Sequence, residues 1–292
     1  MTATTVHSSI NTYAWQWQGQ TVTITYETLG AGQPVLLLPA FSTVSSRTEL
    51  TTLANQLAAQ YQVTILDWPG FGDSDRLRLP YQPSLYQQFL QEFVGATFSE
   101  PIAVVAAGHA SGYVMGMADA WSKVVLVAPT WKGPLAVMGA PEGMRSGVRE
   151  LVRSHLLGQF LYWLNTRPSF LKWMYRRHVF VDEQRLTPEY IEQRHASTQQ
   201  PGARYAPAAF VTGGLDPVQS RDAFLQPLAQ LACPVMVVVA EQSPSGSKAE
   251  MEAMAALTGI QSARLPGTLG LAEEYGEAVA AIVAPFLEAA TT

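Results

Sequence analysis

The sequence predicts an α/β fold, because short apolar runs alternate at regular intervals with segments of helical spacing. The runs at 34–40, 101–108, 122–129 and 233–242 are almost continuously apolar, which is typical of strands covered on both faces of a sheet. Strand and helix alternation of this kind predicts a mostly parallel, twisted sheet with helices on both faces. The rhythm stops after residue 129 and returns near residue 208, which predicts a helical insertion.

The individual elements follow from local patterns. TVTITYETLG (21–30) alternates polar and apolar residues like an antiparallel edge strand, YQVTIL (61–66) reads as a strand, and IQSARLPG (260–267) as another. Helical spacing of apolar residues predicts helices over 48–60, 83–98, the segment after Gly112, 247–257 and 274–290.

The predicted organisation has three parts. Residues 1–129 form the first part of the core, residues 130–207 a helical cap insertion, and residues 208–292 the second part of the core. The insertion has the place and size of a cap over the open end of the sheet.

Composition excludes several classes of function. The chain has 292 residues, 48% hydrophobic and 14% charged, with a net charge of −5 and no Lys/Arg cluster that would indicate nucleic-acid binding. The single cysteine, Cys233, cannot form an internal disulfide or a cysteine-based zinc site. No dinucleotide, phosphate-loop or metal-ligand motif is visible, so we expect no cofactor and no metal.

The start of the chain lacks both a basic region and a continuous apolar core, so it does not read as a secretory signal. No apolar run reaches the roughly 18 residues that a spanning helix needs. We therefore expect a soluble, cytoplasmic protein without a transmembrane segment, and leave peripheral membrane contact open.

Three features give the chain a resemblance to a known family. They are the strand–turn–helix VVAAGHASG (104–112), the turn LDWPGFGDSD (66–75), and the insertion before the strand at 234–239. Together they resemble the α/β-hydrolase superfamily over roughly residues 20–290, including uncharacterised members from photosynthetic bacteria. The resemblance implies an α/β-hydrolase fold with a nucleophile elbow and a cap domain.

The same resemblance locates three catalytic positions, and none carries a catalytic side chain. The G-x-S-x-G elbow reads GHASG, which puts Ala110 at the nucleophile position. The acid position aligns with Ser243 and the histidine position with Gly270, and no histidine follows His195. A methyl group cannot attack a carbonyl, so covalent catalysis at Ala110 is impossible.

Two readings of the elbow stay open. In one, backbone N–H groups of Phe41 and Ser111 still form an oxyanion-type site, while the chain is a pseudoenzyme that binds an apolar ligand or a partner protein. In the alternative, Ser111 and His109 form a non-standard site of a hydrolase or lyase acting on an ester-like or other small apolar substrate. We favour the first reading, because all three positions are substituted.

The insertion is rich in aromatic residues and arginines. These aromatics either line an apolar pocket or form, with the arginines, a docking face for a protein or an anionic membrane surface. The candidate pocket and cap residues are Trp68, Trp131, Trp163, Trp173 and Tyr175.

Overall fold

The computed structural model describes residues 8–154 and 157–289. Over these residues the chain forms eight strands and thirteen α-helices, joined by short 3₁₀ turns. The strands β1 to β8 are Ser8–Trp17, Gln20–Leu29, Gln33–Leu38, Tyr61–Leu66, Ile102–Ala107, Trp121–Val127, Val235–Ala240 and Ile260–Leu265. The helices α1 to α13 are Thr51–Leu57, Pro83–Thr97, Ala110–Met115, Pro134–Val137, Glu142–Arg153, Leu157–Asn165, Pro168–Met174, Pro188–Thr198, Tyr205–Val211, Arg221–Leu225, Ser245–Ala255, Leu271–Glu274 and Gly276–Glu288.

All eight described strands belong to one sheet, in the order β1-β2-β4-β3-β5-β6-β7-β8. β1 and β2 pair antiparallel, as do β2 and β4, and every later pair is parallel. β3, β5, β6 and β7 are almost completely buried, because helices cover both faces of the sheet. The predicted α/β fold with a mostly parallel sheet is confirmed.

The first strand, β1, was missed by the sequence analysis. Its inward-facing side chains are Tyr13, Trp15 and Trp17, at every second position, and it forms a hairpin with β2. Gln18 and Gly19 make the two-residue turn with φ of 48° and 79°, the left-handed conformation that such turns need. The signal for this hairpin in the sequence is the alternation of aromatic residues, followed by the turn residues Gln18 and Gly19.

Helix α12 and helix α13 replace the single closing helix that the sequence predicts. A break at Tyr275 separates them, and the end of α13 packs near β6. There the ammonium group of Lys123, a buried residue of β6, donates hydrogen bonds to the carbonyls of Phe286 (3.1 Å), Leu287 (2.5 Å) and Ala289. The lysine therefore caps the carboxyl end of α13 from inside the protein.

Between β6 and β7 the chain is helical, from α4 to α10; we call residues 134–230 the helical segment. Arg194 donates from Nη1 to Ser46 Oγ (3.2 Å) in the loop after β3. The Val181 N–H donates to Glu274 Oε1 (2.9 Å) in helix α12, which follows the loop after β8. The helical segment thus contacts loops at the carboxyl ends of the parallel strands. The division of the chain at residues 129 and 207 stays a prediction.

Across the two described stretches, no helix combines the length and the apolar character needed to cross a membrane.

Candidate functional site

The candidate site lies where the carboxyl ends of β3 and β5 meet. In the sheet, β3 lies between β4 and β5. The chain places β4 on one side of β3 and then crosses over to place β5 on the other side, so the strand order reverses between β3 and β5. Ligand sites of open α/β sheets lie outside the carboxyl ends of the strands at such a point. The two loops that meet here are residues 39–46 and residues 108–109.

The sharp turn after β5 is centred on Gly108, two residues earlier than the G-x-S-x-G pattern places it. Gly108 has φ of +52°, whereas Ala110 is already the first residue of helix α3 and is fully buried. Glycine adopts this left-handed conformation without the cost of a Cβ, so the chain turns there. A Cβ added at Gly108 would lie 3.0 Å from the Ala40 Cβ, so the loop after β3 closes over the turn.

The backbone N–H of Ser111 does not point into the site, contrary to the prediction that it forms part of an oxyanion hole. It donates to the Gly108 carbonyl at 3.3 Å, as part of the first turn of α3. The Ser111 side chain is fully buried, and among the described residues its Oγ has no hydrogen-bond partner. Ser111 and His109 are therefore neighbours in sequence without forming a nucleophile–base pair.

His109 is held on the opposite side of the turn by the segment before Pro217. Its Nε2 donates to the Leu215 carbonyl at 2.9 Å, and the Tyr113 hydroxyl donates to the same oxygen at 2.7 Å. Burial lowers the pKa of His109 from 6.5 to about 4, against the opposing effect of the bond to Leu215. An imidazole with so low a pKa is neutral at pH 7 and is a weak general base.

Ser243, which the resemblance aligns with the acid position, lies in the turn after β7. Ser243 is buried, its N–H donates to the Ala240 carbonyl at 3.2 Å, and among the described residues its Oγ lacks a partner. Glu241, two residues earlier, is exposed to solvent. The turn after β7 thus carries a small buried hydroxyl where a triad would need an acid.

The histidine position has no room for an imidazole. The Gly270 N–H donates to the Val179 carbonyl at 3.1 Å, so the two segments are in direct backbone contact. A Cβ added at Gly270 would lie 2.5 Å from that same carbonyl oxygen. The helical segment therefore leaves no space for a side chain at Gly270, the predicted histidine position.

Asp216 is the carboxylate that the structure does bring to this site. Its Oδ1 accepts a hydrogen bond from the Gly133 N–H at 2.7 Å and lies 3.6 Å from His109 Nε2. Burial raises the pKa of Asp216 from 3.8 to about 7, although the bond from Gly133 opposes this. Asp216 is not among the candidate residues taken from the sequence, because its approach to His109 has no signature there.

Aromatic side chains fill the space between the two loops. The Phe41 ring stacks on Trp68 with centroids 4.9 Å apart and meets Tyr86 edge-on at 4.9 Å. The rings that surround Phe41 belong to Trp68, Phe71, Tyr86, His109, Tyr113 and Phe210. The cavity bounded by Ser45, Phe71 and Tyr162 has a volume of about 10 Å³, roughly the space of one water molecule.

The predicted pocket residues are not brought together. Trp68 is buried in the core and donates from Nε1 to the Pro39 carbonyl at 2.8 Å, and Trp131 packs against Phe224. Tyr175 is buried in a separate small cluster within the helical segment. Trp163 and Trp173 are 39% and 53% exposed, so they face solvent.

The turn LDWPGFGDSD serves the structure of the loops. The buried Asp67 accepts the Arg47 N–H at 2.6 Å and the Asp73 N–H at 2.9 Å, and it forms an ion pair with the Arg47 guanidinium. Asp75 accepts the Thr23 N–H at 2.7 Å. Within residues 8–154 and 157–289, no group of three or more His, Cys, Asp or Glu residues could hold a metal ion.

Comparison with known proteins gives a consistent result. A family model described as "Alpha/beta hydrolase family" matches residues 35–282. No curated protein matches the chain. Solved structures with similar folds include an esterase from Thermogutta terrifontis (18% identity, TM-score 0.71, covering 96% of this chain and 98% of that one). A hydrolase from Pseudomonas aeruginosa (17%, 0.72, 96% and 99%) and an enol-lactonase from Burkholderia xenovorans (13%, 0.68, 92% and 97%) are also similar.

Proposed function

The chain belongs to the alpha/beta hydrolase family, and we propose that it is a non-catalytic member that acts by binding rather than by acyl transfer. The observation that carries this proposal is the filling of the site by the protein's own side chains. Phe41 and its neighbouring rings occupy the space between the loops after β3 and β5, where a substrate would have to lie.

The arrangement of the former catalytic positions supports the proposal. In the family the nucleophile stands on the sharp strand-to-helix turn, which here is Gly108, with Ala40 against it. Neither Gly108 nor Ala110 offers a nucleophilic atom, and Val179 blocks the position of the base at Gly270. Loss of nucleophile and base together leaves no group to form or resolve a covalent intermediate.

A hydrolase or lyase acting through Ser111 and His109 is the alternative. The specific observation in its favour is that, within the described residues, both Ser111 Oγ and His109 Nδ1 lack hydrogen-bond partners. Against it stand the complete burial of Ser111 and the low pKa of His109.

Binding is assigned to the outer surface of the helical segment rather than to an internal pocket for a small apolar ligand. The cavity beneath the helical segment has a volume of about 10 Å³, too small for any organic ligand. Large apolar side chains such as Trp163 and Trp173 stand instead on the outside. The sequence leaves two roles open for the aromatic residues of this segment, lining a pocket or forming a docking face, and the proposal takes the docking face.

The test is intact-mass spectrometry after treatment with a fluorophosphonate, which reacts with activated serines. Wild type is measured beside Ala110→Ser and Gly108→Ser, with a working serine hydrolase in the same tube as the positive control. We expect no adduct on any of the three. An adduct mapped to Ser111 would establish the alternative, and an adduct on either introduced serine would show that an activating base is still present.

A further inference from the structure

The surface of the helical segment carries nearly all the exposed large apolar side chains of the described residues. Of twelve such side chains, only Ile10 lies elsewhere, on β1. A cluster of exposed apolar residues on one part of a protein marks an interaction site. We call this group the apolar face; it consists of Val137, Met138, Met144, Leu151, Leu157, Phe160, Trp163, Leu164, Phe170, Trp173 and Val181.

Helix α5 shows that this exposure is built into the packing. Its arginines turn inward: Arg145 Nη1 donates to the Thr212 carbonyl at 3.2 Å, and Arg153 lies on the same inner side. Met144 and Leu151 point outward and are 57% and 42% exposed. The outward side of α5 therefore carries exposed apolar side chains together with Glu142 and Glu150, whose carboxylates pair with the inward arginines.

Helices α6 and α7 add aromatic rings paired with cations. The Arg167 guanidinium lies 3.9 Å from the centre of the Trp163 ring and links the two helices, and Arg177 lies 5.9 Å from the Trp173 ring. Trp beside Arg or Lys is the composition found at the level of lipid headgroups, where the ring contacts acyl chains and the cation contacts phosphate. Lys172, also exposed, lies on the same helix as Trp173.

The charge of this region is opposite to that of the rest of the protein. Residues 134–181 contain seven Lys or Arg and two acidic residues, whereas the remainder of the chain contains eleven and twenty-one. Three of the seven are the inward arginines of α5, and Arg176 pairs with Glu183 at 2.9 Å, which leaves Arg167, Lys172 and Arg177 to face an anionic surface. A basic patch on an acidic protein is attracted to an anionic surface and orients the molecule toward it.

We propose that the apolar face docks on the surface of an anionic lipid bilayer, with α6 and α7 at the level of the headgroups. The docking proposal rests on the proposed function in one respect: both take the helical segment as the binding surface. Charge complementarity favours lipid over protein: lysine is depleted at protein interfaces, whereas here the exposed Lys172 lies beside Trp173, as at the level of anionic headgroups.

Intrinsic tryptophan fluorescence gives a direct test, because the tryptophans fall into an exposed pair on the apolar face and a buried group elsewhere. Of the seven, only Trp163 and Trp173 are exposed, and the other five are at most 5% exposed. Wild type is mixed with vesicles of equal parts phosphatidylcholine and phosphatidylglycerol whose acyl chains carry bromine, a contact quencher. We expect quenching, protection of the same two rings from aqueous iodide, and neither effect with pure phosphatidylcholine.

Matched variants assign the binding to this face in a vesicle-flotation assay. Lys172→Gln with Arg177→Gln should weaken binding about 25-fold, since each basic residue near such a surface contributes about a factor of five. The control, Arg221→Gln with Arg264→Gln, has the same net charge and should bind like wild type. Trp163→Ser with Trp173→Ser should abolish flotation, and Ile10→Ser should leave it unchanged.

Three results would overturn the proposal: no binding to either vesicle, equal binding to both, or equal weakening by the two charge variants. Protection from iodide without vesicles, together with a doubled mass in light scattering, would show that a second copy covers the face and would also overturn it. None of these outcomes bears on the fluorophosphonate result, so failure of lipid docking and failure of the non-catalytic assignment are distinguishable.

Discussion

Replacing Asp216 by Asn should remove a pH-dependent loss of stability. Asp216 is 5% exposed, and its carboxyl pKa rises from 3.8 to about 7 on folding. A raised carboxyl pKa means that the folded protein holds a proton that the unfolded chain has released. The stability from the protonated form is therefore complete below pH 3.8 and is lost as the pH rises through about 7. The pKa change corresponds to about 4 kcal/mol of unfolding free energy.

Asparagine keeps the oxygen that accepts the Gly133 N–H but carries no charge, so Asp216→Asn should not show this loss. The free energy of unfolding is measured by urea denaturation of both proteins across the pH range. We expect the variant-minus-wild-type difference to grow by about 4 kcal/mol between pH 3.8 and just above 7.

His109 changes stability in the opposite direction. Its pKa is lowered from 6.5 to about 4, so its contribution is present above 6.5 and is lost as the pH falls through 4. Since both proteins contain His109, its contribution cancels in the difference between them. Asp222→Asn, the same substitution at an exposed position, is the control. A difference for Asp216→Asn that is constant, or that shrinks with pH, would refute the reasoning.

Two further predictions concern the filled site. Phe41→Ala should lower the free energy of unfolding by about 3–5 kcal/mol, because it removes the ring at the centre of the aromatic group. The cavity left behind should let a small apolar probe such as benzene stabilise the variant. Phe160→Ala, on the surface, is the control and should change the free energy of unfolding little. Gly270→His should destabilise by about 1–3 kcal/mol in urea denaturation, because its Cβ meets the Val179 carbonyl, whereas Gly246→His has open space around it; equal effects of the two would contradict the closed site.

The sheet was predictable from the sequence because its signal is local. A strand buried on both faces must be apolar along its whole length, so 34–40 and 233–242 could be recognised without knowing their partners. The resemblance to the α/β-hydrolase family, which is confirmed, was visible for the same reason: short sequence motifs identify its strands and turns. β1 escaped because its outward face is exposed and its aromatics occupy only every second position.

The candidate site was less predictable because its geometry depends on contacts between distant segments. Three small residues alternate at 108, 110 and 112, and the sequence does not say at which of them the backbone turns. The approach of Ala40 to Gly108 and of Val179 to Gly270 joins segments far apart in the chain.

Helix α5 is the plainest case of a pattern with two solutions. Arg145, Arg149 and Arg153 lie on one side of α5 because they are spaced by four residues. This spacing groups the three side chains but does not tell whether they face water or protein. Usual rules would turn the arginines outward. Carbonyls at Leu79 and Thr212, supplied by other parts of the fold, turn them inward.

The lysine on β6 has a consequence for the timing of biosynthesis. The acceptors of the Lys123 ammonium are carbonyls of residues 286–289, more than 160 positions later. While the chain is being translated, β6 leaves the ribosome long before those carbonyls exist, and a lysine buried without acceptors is costly. The middle of the sheet therefore cannot reach its final packing until synthesis has passed residue 289.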